Sequence, residues 1–114
     1  MAFSELELKR IDNTVGALCR RITSPKHADQ LRFTYDVDGH RVSIHEERPP
    51  WDGQGGWTRH GVARFRYTRK SGEWNLYWMR ADLKWHRYDP DSMPHDLESL
   101  VAVVDEDAYC AFFG

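Results

Sequence analysis

The chain has little cysteine, no long apolar run and no excess of basic charge, and each shortage closes off a class of protein. Its two cysteines, Cys19 and Cys110, are isolated and form no CxxC spacing, so they read as reduced thiols rather than a disulfide framework. The longest aliphatic run is Leu100-Val101-Ala102-Val103-Val104, far below the roughly 20 residues a membrane span needs. The start, Met1-Ala2-Phe3-Ser4-Glu5, has neither the basic nor the apolar stretch of a secretory leader, so a cytoplasmic protein with no membrane association is expected. A net charge of −2 and a pI ≈ 6.3 exclude a wholesale polyelectrolyte binder, whose pI exceeds about 9. The six histidines show no HxxxH, HxH or Cys-paired spacing, and no metal or cofactor is expected. No G-x-S-x-G is present, and Gly53-Gln54-Gly55-Gly56-Trp57-Thr58 lacks the GK[ST] ending of a phosphate loop.

What the chain does have is one aromatic, cationic block. Residues 62–88 hold seven aromatics and seven Lys/Arg against only Glu73 and Asp82, inside an otherwise acidic protein. At 114 residues the chain makes one domain, 1–114, large enough to bury roughly two-thirds of its unfolded surface.

Ser4 and Glu7 form an S-x-x-E capping box, and Leu8, Ile11, Val15, Leu18 and Ile22 recur at helical spacing until Thr23-Ser24-Pro25 ends the helix. Gly16 weakens that helix unless it permits a close approach. Residues 31–37 alternate, Asp38-Gly39 signals a tight turn pairing Val37 with His40, and residues 40–48 alternate back. Leu31, Phe33, Tyr35 and Val37 thereby share a core face with Val42 and Ile44, with Glu46 and Arg48 in phase at its end. Arg32, Thr34, Asp36, Arg41, Ser43 and His45 take the other face. Residues 49–61 read as an exposed loop tacked down by Trp51 and Trp57.

In the block, a loop at Ser71-Gly72, or the longer 69–72, puts Ala63, Phe65, Tyr67, Trp74, Leu76 and Trp78 on one face. Arg64, Arg66, Glu73, Asn75, Tyr77 and Met79 then take the other. A tight turn at Ala81-Asp82 assigns Leu83 and Trp85 to the core face and Lys84, His86 and Tyr88 outside. Beyond it, residues 89–107 hold seven Asp/Glu and no Lys/Arg; Pro94 suits a first helical turn, and Leu97, Leu100, Val101 and Val104 form a stripe. Residues 108–114 end apolar, as a docked terminus would. The expected architecture is α+β: an N-terminal helix, about five antiparallel strands, and a C-terminal helix, both helices on one sheet face and the other face at least partly open.

Two constellations carry possible chemistry. Arg64, Arg66, Lys84, His86 and Tyr77 would line a cationic sheet face able to hold single-stranded nucleic acid or another anionic ligand, by phosphate neutralisation and base stacking. The competing reading is a solvated β-face of cross-strand pairs. Glu46 and Arg48, at a strand end beside the tryptophan loop, could bind a polar ligand or make Glu46 an acid/base, with Arg48, Lys84 and His86 stabilising charge. The competing reading there is a structural ion pair.

The stretch Val62-Ala63-Arg64-Phe65-Arg66-Tyr67, with residues 76–88, Ile44-His45-Glu46-Glu47-Arg48-Pro49, Val104-Asp105 and Phe113-Gly114, resembles a bacterial family of small proteins, domain-of-unknown-function family 3024. The resemblance covers most of the chain and implies a small stand-alone bacterial domain. It carries no activity and no catalytic residue. The leading expectation is a non-enzymatic binding module for an anionic partner. The alternatives are a small enzyme on a phosphate- or carboxylate-bearing substrate, and a homo-oligomer joined through the aromatic face.

Overall fold

The computed structural model describes residues 3–89, 93–107 and 112. Its elements run α1 (Glu5–Ile11), a π-turn (Asp12–Gly16), α2 (Ala17–Ile22), β1 (Arg32–Asp38), β2 (Arg41–Arg48), β3 (Thr58–Thr68), β4 (Glu73–Met79), β5 (Trp85–Arg87) and α3 (Leu97–Glu106). The strands form one antiparallel meander in chain order, so the domain is α+β as expected. No helix among the described residues is long and apolar enough to cross a membrane.

The capping box opens α1: the Glu7 amide donates to Ser4 Oγ at 3.2 Å and the Ser4 amide to Glu7 Oε1 at 2.8 Å. The widened π-turn inserts a residue, so the buried stripe of Ile11, Val15 and Leu18 slips to take in Cys19, while Leu8 stays exposed. Gly16 does permit a close approach. A Cβ there would meet Asp12 Oδ1 at 2.6 Å and Tyr35 Cε1 at 3.0 Å. Tyr35 Oη donates to Asp12 Oδ1 at 2.8 Å, tying the helix to β1, and Arg20 donates to the Asp12 carbonyl at 3.0 Å. Burial and the Asp12 carboxylate push the Tyr35 phenol up to about 12. Burial likewise pushes the Cys19 thiol up to about 11, so it is inert as a nucleophile.

Asp38 pairs with Arg41 and Val37 with Val42, so the first turn is Gly39-His40, not Asp38-Gly39. Gly39 supplies the positive φ of 60°. The shift is even in register, so Tyr35 opposes Ile44 in place of Val42 and stays on the core face. β3 starts at Thr58, earlier than the loop boundary expected, and Val62 is an extra residue between Gly61, opposite His45, and Ala63, opposite Ile44. Both Val62 and Ala63 are buried as a result. The next loop is the four-residue option, 69–72, with Gly72 at φ 69°.

The last hairpin departs from expectation. Arg80 exchanges backbone bonds with Lys84 and Leu83, closing a three-residue loop with Leu83 at φ 61°. That odd residue inverts β5: Trp85 opposes Met79 on the outer face, His86 opposes Trp78, and Tyr88 is buried against Trp78 and Phe112. Leu83 is not core but 67% exposed.

Asp96 caps α3, accepting from the Ser99 amide at 3.0 Å, so Pro94 precedes the helix instead of opening it. Leu97, Leu100, Val101 and Val104 are buried as the stripe requires. All three helices join the core on the inner sheet face, around Val42, Ile44, Phe65 and Leu76. Docking of residues 108–114 and the state of Cys110 lie outside the described residues, except that Phe112 is buried against Tyr88.

Candidate anion-binding face

Strand alternation and register assemble the outer face as cross-strand rows. One row runs Asp36, Ser43, Arg64, Tyr77, Arg87, and the next runs Asp38, Arg41, Arg66, Asn75. The face is divided by charge. On the β1 side every arginine has a carboxylate. Arg32 meets Glu47 at 2.8 Å, Arg59 meets Asp36 at 2.9 Å and Glu47 at 3.0 Å, and Arg41 meets Asp38 at 2.9 Å. On the β5 side, among the described residues, Arg64, Arg66 and Arg87 make no ion pair; Arg87 donates only to Asn75 Oδ1, at 3.0 Å.

Arg64 is held in place without being neutralised. Its Nε donates to Ser43 Oγ at 2.9 Å, a hydroxyl on a residue only 2% exposed. Its guanidinium lies 4.6 Å from the Trp85 ring centroid, a cation–π contact of about 0.5–1 kcal/mol at such a half-exposed site. Burial first, and the neighbouring Arg41 charge second, lower its proton affinity, against the opposing pull of Asp36 and Asp38. Arg41, Arg64, Arg66, Tyr77 and Trp85 together line a concavity of ≈ 170 Å³. Guanidinium forks beside aromatic faces suit a phosphate or carboxylate attached to a flat ring.

The structure therefore brings together Arg64, Arg66 and Tyr77 from the sequence-expected set. It removes Lys84 and His86, whose strand parity is inverted by the three-residue turn. His86 Nε2 sits 2.8 Å from Asp82 Oδ2 instead. Arg41 and Trp85 are the members that sequence reasoning left out. The absence of Gly or Asn at Ala81-Asp82 argues against a two-residue turn and was the available signal for Trp85. Alternation places Arg41 on the outer face, but its pairing with Arg66 is set by register across a long loop and a bulge, which carries no local signal.

Glu46 and Arg48 do meet: Arg48 Nε donates to Glu46 Oε1 at 2.6 Å. Yet Arg48 is 61% exposed, and Trp51, at 97% exposure, does not tack the loop down. Trp57 instead lies 4.1 Å from the Arg32 guanidinium. Lys84 and His86 cannot join Glu46. β3 and β4 stand between β2 and β5, a separation of roughly 14 Å at the usual strand spacing.

Among the described residues no group of His, Cys, Asp and Glu is arranged to hold a metal ion. No curated protein and no solved structure matches the chain. A family model described as domain of unknown function DUF3024 matches residues 3–114, and the chain belongs to that family.

Proposed function

We propose that the protein is a non-enzymatic binding module whose outer sheet face holds an anionic partner, single-stranded nucleic acid first. One observation carries this reading: three arginines converge on a concavity beside Tyr77 and Trp85, and among the described residues Arg41 alone of the three has a carboxylate partner, Asp38, outside its lining. Uncompensated guanidinium groups gain most from phosphates, and an aromatic wall gives a base somewhere to stack. The same charges disfavour self-association through this face, since two copies would set Arg64 and Arg66 against their like. We place the role in the bacterial cytoplasm, in keeping with a buried Cys19 that forms no disulfide.

The test is a tryptophan-fluorescence titration with mixed single-stranded DNA and RNA at about 0.05 and about 0.2 M salt, a range over which phosphate-driven binding weakens strongly. Saturable quenching that falls with salt and with Arg66→Ala is the expected result. Arg66 is exposed and its side chain makes no hydrogen bond or ion pair among the described residues, so its removal leaves the fold intact. No quenching at the lower salt overturns the proposal.

A further inference from the structure

Two concavities, one on the outer face and one at the Gly39-His40 end of the sheet where Asp38, His40 and Tyr67 also line it, share a wall. The first is the ≈ 170 Å³ space beside Trp85; the second, of ≈ 280 Å³, lies toward the Gly39-His40 turn, and both are lined by Arg41 and Arg66. Trp85 is a fixed wall. Its indole lies over Gly61, where a Cβ would fall 2.7 Å from Cζ2, with Met79 Cε also close and Arg64 against the ring. Such a ring can receive a planar group without first being ordered.

The cationic area is also fenced. Asp36, Asp38 and Glu47 neutralise the β1 side, and β5 ends the sheet after three residues. Arg64 and Arg66 are one alternation apart, roughly 7 Å along an extended strand. A long polyanion leaving this strip would meet carboxylates on one side and the sheet edge on the other.

Resting on the nucleic-acid reading above, we infer that the face is a short-footprint site. It holds about three nucleotides of a single strand, a phosphate at each of Arg64 and Arg66 and a third at Arg41 in exchange for its Asp38 partner, with one base against Trp85. It does not track a long strand.

The experiment compares inorganic phosphate, a thymidine mononucleotide, a thymidine trinucleotide and a thymidine 20-mer on the full chain at low salt. The trinucleotide is expected to bind within about threefold of the 20-mer once the 20-mer's overlapping sites are counted. The slope of log K against log salt is expected near −2, from about 0.7 per phosphate for single strands. Trp85→Leu should weaken the trinucleotide about tenfold. Should that variant fold poorly, the exposed Arg41→Gln should weaken it and flatten the slope by about 0.7. A 20-mer that binds while the trinucleotide does not, or a slope steeper than about −5, overturns the short footprint and leaves the nucleic-acid reading standing. Phosphate binding as tightly as the trinucleotide overturns the base seat. Failure of every ligand overturns both readings.

Discussion

The indole of Trp85 occupies the space that a side chain at Gly61 would need. A Cβ at Gly61 would lie 2.7 Å from Trp85 Cζ2, 2.8 Å from Cη2 and 3.0 Å from Met79 Cε. The two residues are distant in sequence, and neither explains itself alone. Together they build the aromatic wall of the outer face.

Gly61→Ala should therefore displace the indole and uncouple it from Arg64. Overpacking of this kind costs about 1–3 kcal/mol. The expected outcome is a lower denaturant midpoint with an altered near-ultraviolet circular dichroism signal. Unchanged values for both would show that Trp85 moves aside freely and is no rigid wall.

Leu83 holds a left-handed backbone, φ 61°, at the end of the β4–β5 turn, and its side chain is largely exposed. A leucine there carries strain of about 1–2 kcal/mol that glycine avoids, offset partly by glycine's greater unfolded-state freedom. Leu83→Gly should leave stability unchanged or raise it by up to about 1 kcal/mol, read from equilibrium unfolding. A marked loss would show that the leucine side chain makes a contact of real weight.

Acid should loosen the fold above the range where carboxylates titrate. His45 is half-buried beside Arg59, whose guanidinium stands 3.1 Å from Nδ1, with Arg64 adding to the effect and Asp36 and Glu47 opposing it. Burial chiefly, then Arg59, lowers its proton affinity below the ordinary value of 6.5, and burial lowers that of His40 as well. The unfolded chain then binds more protons, so the stability is present above pH 6.5 and is lost as pH falls through the folded-state value. Thermal midpoints should drop between about pH 7.5 and about pH 5.5, and less so in His45→Gln. An equal drop in the variant would remove His45 as the cause.

Glu46→Gln should be nearly silent for stability. The Glu46–Arg48 pair is rim-exposed on its arginine side, and such pairs contribute about 0–1 kcal/mol. A well-folded variant permits a clean check of the enzymatic alternative, since any hydrolytic activity of the protein that survived the change would not depend on Glu46. Unfolding would instead show that the carboxylate is structural.

The α+β class, the capping box and the faces of β1 to β4 were legible in the sequence because each rests on local periodicity. Phe65 and Leu76 share a face, and Arg64 and Arg66 the opposite one, with either of the two even-length turns that the sequence offers. The first hairpin was read two residues off in its pairing sum without harm, since an even shift preserves the face. The second error was odd. One extra residue in the Ala81 to Leu83 turn exchanged Trp85 and Arg87 for Lys84, His86 and Tyr88, and removed Lys84 and His86 from the five residues expected on the cationic face.

By itself the sequence determined which strands have an apolar and a cationic face, because side-chain direction alternates with a period set by the backbone. Only the tertiary structure decided which cations meet. Arg41 stands beside Arg66, and Arg64 leans on Trp85, through the β2–β3 register, the Val62 bulge and a three-residue turn. Those features depend on the packing of Val62 and Tyr88 into a core shared with the helices, a long-range balance that no local window contains.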